Sequence, residues 1–262
     1  MFFPCISKLF VIFAALSHNL FYFNMRKTIL SLMLVLAVAF TANAQKTYVL
    51  LAGVSSYQNS QNNLNYTTVD AKTLNTVFKK QGFKTTLITS KYANCENIKK
   101  KLRAIARIAK KNDRIIFFFS GHGGPGVLCA YDDNLPYKDV VSILSTAKAK
   151  EIYCMVDACH SGSAQQSANA NYGWAEGSNM LFFMACRPDE YSWENGWVGH
   201  GFYTKALIKG LRGKADANND RKVTVREMFN YVYKDVLKRS NNGQHPQLIG
   251  PKSMYGKVMT KW

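Results

Sequence analysis

The stretch Ile152–Gly162, IYCMVDACHSG, constrains the fold more than any other part of the chain. An apolar run rich in strand formers stops abruptly at Asp157-Ala158-Cys159-His160-Ser161-Gly162. Such a run reads as a buried strand that opens into a loop at the carboxyl edge of a sheet. Ligands of open α/β sheets sit at that edge. The same design occurs upstream, where Arg114-Ile-Ile-Phe-Phe-Phe-Ser120 ends in Gly121-His122-Gly123-Gly124. If the two strands are parallel neighbours, one delivers a histidine and the other a cysteine to the same side.

The remaining segments fit around this pair. Lys46–Gly53 is a first buried strand, and Val69, Leu74, Val77 and Phe78 recur at helical spacing before Gly82. Phe83–Thr89 alternates like a strand, and Cys95–Lys111 is a basic amphipathic helix with Ile98, Leu102, Ile105 and Ala109 on its apolar side. Tyr137–Ala147 is helical, Met180–Ala185 is a strand, and Phe202–Leu211 and Val225–Leu237 are helices. Met254–Thr260 is expected as a last strand at the sheet edge. Alternating strands and helices predict a mostly parallel sheet covered on both faces.

The first 44 residues read as processing rather than fold. Met25-Arg26-Lys27, the apolar Ile29–Phe40 and Ala42-Asn43-Ala44 before Gln45 have the form of a secretory signal peptide, with the signal proper at about 25–44. Phe2–Phe23 is a second apolar stretch with only Lys8 charged, read as lying upstream of a true start at Met25 in preference to an N-terminal membrane anchor. The expected products are a 1–44 leader and one domain, 45–262, secreted or periplasmic and without stable membrane insertion once the signal is cut. Removing 44 of the 262 residues leaves 218, enough for a single large core. The leader carries Lys8, Arg26 and Lys27 and no acid, so the net charge falls from +18 to +15. That surplus could serve an anionic surface or nucleic acid. Its densest run, Lys99–Lys101 with Arg103, Arg107, Lys110 and Lys111, lies on the solvated face of one helix, and no nucleic-acid partner is expected. Five cysteines remain, an odd number that implies a free thiol.

Cys159 is the candidate nucleophile. A thiol attacks as thiolate, which requires partial exposure and a proton acceptor such as His122. Flanking glycines let backbone amides approach a substrate carbonyl, as an oxyanion hole requires. Cys154 and Cys186, inside apolar strands, read instead as small buried hydrophobes. His160 follows the nucleophile on the opposite side of the backbone and reads as structural. No C-x-x-C or regular ligand spacing supports zinc.

Phe-Phe-Ser120-Gly121-His122-Gly123-Gly124 and Asp157-Ala158-Cys159-His160-Ser161-Gly162 resemble the histidine and cysteine motifs of the caspase–metacaspase cysteine peptidases. Their spacing of 37 residues fits one helical crossover. The likeness runs from Tyr48 to about Pro246 and takes in Gly53, Tyr57, Asp70-Ala71, Cys186–Glu194 and Gly199–Thr204. It implies a three-layer αβα sandwich with a six-stranded, mostly parallel sheet, and a His122/Cys159 dyad. It further implies an oxyanion hole of the Gly123 and Cys159 amides, and a substrate pocket including Asp70, Asp157, Ser120 and Ser192. Asp157 stands where caspases have glutamine, and the sequence after Cys159 is similar to metacaspases, which cut after arginine or lysine. Physical chemistry gives the same reading, because a carboxylate two residues before the nucleophile shares its strand face and would attract a cationic side chain. Such an enzyme requires no cofactor.

The segment Asp216–Glu227 fits the oxygen spacing of a calcium loop, with Asp216, Asn218, Asp220, Lys222 through its carbonyl, Thr224 and Glu227 as ligands. Arg221 replaces the usual glycine at position six, and the same residues read equally as a polar turn in which Thr224 and Glu227 form a capping box. The Ser163–Asn179 loop has no Lys or Arg, so self-processing by a basic-specific enzyme would fall at Lys148 or Lys150 instead. Two other classes remain open on sequence: a catalytically idle caspase-like scaffold, and an anionic-surface binder. Oligomeric state is not encoded legibly.

Overall fold

A computed structural model of the chain describes residues 45–164, 178–195 and 199–261, with Met25, Lys27, Thr28 and Ser31 from the first 44. The chain divides into two units, Met1–Ala44 and Gln45–Trp262. The expected signal peptide, its cleavage site and most of the Ser163–Asn179 loop lie outside the described residues. Among the described residues, no helix is long and apolar enough to cross a membrane.

In chain order the strands are β1 (Thr47–Gly53), β2 (Lys84–Thr89), β3 (Arg114–Ser120), β4 (Gly123–Gly124), β5 (Val127–Cys129), β6 (Asn134–Pro136), β7 (Glu151–Asp157) and β8 (Met180–Met184). Then come β9 (Glu194–Asn195), β10 (His200–Gly201), β11 (Lys222–Thr224), β12 (Gln247–Ile249) and β13 (Val258–Lys261). The helices are α1 (Thr67–Lys80), α2 (Cys95–Ile108), α3 (Tyr137–Ser145), α4 (Phe202–Lys209) and α5 (Val225–Arg239). The main sheet has six strands in the order β12-β8-β7-β3-β1-β2. Five run parallel, and β12 pairs antiparallel with β8.

Alternation along the central strands builds the two cores. Leu50, Phe117, Phe119, Cys154 and Val156 face one side, under Ile98, Leu102 and Ile105 of α2 and Val140, Val141 and Leu144 of α3. Val49, Leu51, Phe118, Met155 and Leu181 face the other, under Leu74 and Phe78 of α1, Leu207 of α4 and Val232 of α5. The result is a three-layer αβα sandwich. At the amino end of the sheet, Arg114 and Glu151 form a buried pair at 2.6 Å, and Arg114 also donates to the carbonyls of Val258 and Met259.

One expectation is corrected. The end of the chain is not an edge of the main sheet. Lys252–Met254 is a 3-10 turn, and β13 pairs with β11 in a separate two-stranded sheet. The antiparallel edge is β12, a three-residue strand too short to carry a periodic signal.

Candidate active site

β3 and β7 are parallel neighbours in register, with Arg114 opposite Glu151 and Ser120 opposite Asp157. Both therefore end at the same edge, and Gly121 N donates to Asp157 O at 3.2 Å just beyond it. His122 and Cys159 emerge from these two ends into one narrow cavity of about 90 Å³. Asp70, Ser120, Asp157 and Ser192 line that same cavity, as do Glu194 and Gly201. Every catalytic and substrate-pocket residue expected from the sequence, Gly123 aside, thus meets in one place. His122 also walls a wider cavity of about 520 Å³ on its other side, lined by Tyr57, Asn62, Cys129 and Asp132 among others.

The imidazole is held from several directions. His122 Nε2 lies 2.9 Å from the Asn62 carbonyl. A carbonyl only accepts, so Nε2 carries the hydrogen, and in the neutral ring Nδ1 is the basic nitrogen. Tyr57 accepts from His122 N at 2.7 Å and donates to Cys129 O at 3.3 Å, with its ring 5.1 Å from the imidazole. Burial pushes the Tyr57 phenol well above its ordinary range, so it stays a donor.

Cys159 sits on a tight turn that follows Asp157. His160 adopts a left-handed φ of 54°, its backbone N donates to Glu190 O, and its Nδ1 pairs with Pro188 O at 2.8 Å. These contacts anchor the turn, and the His160 backbone is left-handed rather than the extended one assumed from sequence. The Cys159 thiol is partly buried, with its sulfur 4.0 Å from Ser192 O. Burial pushes its pKa up, and the charges of Asp157 and Glu194 push the same way against a hydrogen bond from the Ser192 backbone. All of these but the hydrogen bond favour the thiol form of Cys159 over the thiolate in the free site. Gly123 packs so closely that a Cβ there would lie 2.6 Å from Cys159 O. Only glycine fits, and this brings the backbone of the histidine loop against that of the cysteine loop.

The acidic floor is made of two buried carboxylates. Asp157 Oδ1 accepts from Ser192 Oγ, and Oδ2 accepts from Thr204 Oγ1 at 2.6 Å and Thr204 N at 3.1 Å. Asp70 Oδ1 meets His200 Nδ1 at 2.6 Å, while Oδ2 accepts from Ser120 Oγ at 3.2 Å and Gly201 N at 3.4 Å. Burial raises both carboxyl pKa values, and the neighbouring Asp157 charge adds to the rise at Asp70. Gly201 closes over this floor, and a Cβ there would overlap Asp157 Oδ2.

Asn62 lies outside the matched segments and Thr204 and His200 lie within one, Gly199–Thr204, but sequence reasoning assigned none of the three a role. Their contacts bridge 60, 47 and 130 residues of chain. Glu194 was visible only as part of a matched segment.

The Asp216–Glu227 segment lies elsewhere on the chain. Asp216 accepts from Asp220 N and Arg221 N, Asn218 accepts from Asp220 N, and Asp220 accepts from Lys222 N. Arg221 has a left-handed φ of 62°, the conformation usually given to glycine at that position. Thr224 and Glu227 form a full capping box on α5. Among the described residues, no group of three or more His, Cys, Asp or Glu side chains is placed to hold a metal ion. All five cysteines from Cys95 to Cys186 are free thiols.

A thiol, a histidine and a glycine-lined edge are the groups that a cysteine–histidine hydrolase site requires. The family model for the caspase domain matches residues 46–253, and the chain belongs to this family of cysteine peptidases. It is also 44% identical over 62 residues to a vacuolar-processing enzyme of Ricinus communis. That match covers 21% of this chain and only 12% of the relative's length. Among solved structures, a Geobacter sulfurreducens protein aligns with a TM-score of 0.64 at 16% identity, covering 82% of this chain and 99% of its own. Caspase-1 of Spodoptera frugiperda aligns with a TM-score of 0.61 at 17% identity, covering 82% and 91%. These two likenesses establish the fold.

Proposed function

We propose that the chain is an exported endopeptidase of metacaspase type that uses His122 and Cys159 to cut after arginine or lysine. The observation that carries this reading is the placement of two buried carboxylates, Asp70 and Asp157, in the same cavity as the imidazole and the thiol. A buried acid pair favours a guanidinium or ammonium group and repels a carboxylate. The narrow cavity takes the side chain on the acyl side of the cut, and the wider one beyond His122 takes the leaving side.

In the proposed reaction Cys159 Sγ attacks the carbonyl carbon as its proton passes to His122 Nδ1. The Gly123 and Cys159 amides hold the oxyanion. The imidazolium then protonates the departing amine, which leaves a thioester that water hydrolyses with the same imidazole as base. Residues that raise the thiol pKa in the resting site are those a cationic substrate would neutralise, so binding of the correct side chain itself favours thiolate formation.

Reporter peptides differing only in the residue before the cut test this reading. Cleavage after Arg and Lys is expected, with none after Asp, and none at all by Cys159→Ala. Preference for Asp would overturn the pocket assignment. Activity in Cys159→Ala would remove the nucleophile, and a wild type that cleaves no peptide would favour the idle scaffold. Export is tested by sequencing the mature amino terminus, expected at Gln45.

A further inference from the structure

The proposed chemistry leaves one ionisable group beside the acid pair without a task. His200 is not part of the cavity lining, yet its Nδ1 lies 2.6 Å from Asp70 Oδ1. The histidine side chain is 12% exposed and the aspartate 1%. The two acids are supported differently. Asp157 is held by hydroxyls and a backbone amide, none of which titrates near neutrality. Of the two, only Asp70 has, among the described residues, a hydrogen-bond partner that can gain or lose a proton.

The groups facing this pair are Asp157 from β7, Glu194 from β9, Lys205 from α4 and Arg212 from the turn after it. Burial, followed by Asp157, pushes the Asp70 carboxyl well above its usual range. Burial, followed by Lys205 and Arg212, lowers the His200 imidazole. The two shifts run towards each other, and ionisable groups in direct contact titrate as a pair.

We propose that His200 is a positioning residue of the specificity cavity, acting through Asp70: the pair holds one exchangeable proton, and its release to solvent adds a negative charge behind the substrate's side chain. The inference rests on reading this cavity as the pocket for the residue before the cut. Preference for a cationic side chain over a neutral one of the same shape then grows as pH rises, because deprotonation removes the charge that offsets Asp70. In the protonated state the histidine and the aspartate cancel, and Asp157 and Glu194 face the substrate without that added charge.

The test uses the full chain and a pair of peptides with arginine or its neutral isostere citrulline before the cut. The ratio of their kcat/KM values, followed from about pH 5 to about pH 9, is expected to rise roughly tenfold in one step. His200→Asn keeps a side-chain N–H directed at Asp70 but cannot take a proton. With an unchanged melting temperature, its step is expected to move by more than about one pH unit or to vanish. Asp70→Asn removes the carboxylate that stabilises the imidazolium and is expected to move the step to lower pH. Wild-type and His200→Asn curves that superimpose would overturn the proposal, as would a step at the wild-type pH in Asp70→Asn, and either result would leave the arginine reading standing. A wild type with no preference for arginine at any pH would instead sink the pocket reading, and this inference with it.

Discussion

Replacement of Asp157 by asparagine separates two effects that a single activity assay would merge. The residue is 5% exposed and accepts from Ser192 Oγ on one oxygen and from Thr204 N and Oγ1 on the other. An asparagine carbonyl keeps the Thr204 donors, and its amide donates to the Ser192 hydroxyl oxygen, so the fold tolerates the change. A cationic substrate loses its buried counter-charge, a change of about 2–5 kcal/mol, or roughly 30-fold to several-thousand-fold in kcat/KM for an arginine peptide. The nucleophile moves in the opposite direction, because the Asp157 charge helps hold the Cys159 thiol protonated. For a separation on the order of 7 Å at an effective dielectric near 20, their interaction is about 2 kcal/mol. Solvent screening at the partly exposed sulfur reduces this to about 1.4 kcal/mol, in the direction that lowers the thiol pKa. Thiolate then increases about tenfold, while its lower basicity removes part of the gain, leaving alkylation about threefold faster. Iodoacetamide labelling at a fixed neutral pH, quantified on the peptide containing Cys159, measures this directly. A folded Asp157→Asn protein whose Cys159 alkylates no faster than wild type would refute the electrostatic reasoning.

Gly201→Ala places a methyl group against Asp157 Oδ2 and is expected to raise KM for arginine peptides at least about tenfold with a smaller loss of kcat; an unchanged KM would show that the side chain does not enter there. Arg114→Met leaves Glu151 buried and unpaired, so urea denaturation should show a loss of about 3–5 kcal/mol, and a near-neutral result would contradict the buried pair. Glu227→Ala opens the capping box of α5 and should cost about 1 kcal/mol by the same measurement. The calcium expectation for that loop is settled by calorimetric titration at millimolar calcium, where the absence of heat ends it.

The two central strands were legible because Arg114–Ser120 and Glu151–Asp157 are buried along their whole length, which produces continuous apolar runs that end at a histidine and a cysteine. Parallel pairing then followed from the helix between them, and with it the meeting of His122 and Cys159. The supports of the site were not legible. Asn62 holds the imidazole through a backbone carbonyl, a group every residue has, so its identity leaves no signal. Thr204 and His200 reach the acid floor from the start of α4 and the strand before it, and only the fold brings them there. The short β9–β10 and β4–β5–β6 ribbons are two or three residues per strand, below the length at which alternation can be read. Edge assignment failed for a related reason. Val258–Lys261 is a strand, but a four-residue strand does not name its partner in sequence, and its partner is β11.

The pairing of His122 with Cys159 is tested most directly by an arginine chloromethyl ketone peptide, which alkylates a nucleophile only when its side chain is seated in the neighbouring pocket. Intact mass and peptide mapping of the labelled protein should show one adduct, on Cys159, lost in Cys159→Ala and slowed at least about a hundredfold in His122→Ala. Equal labelling of Cys129 or Cys95, or a rate that ignores the loss of His122, would contradict the shared site.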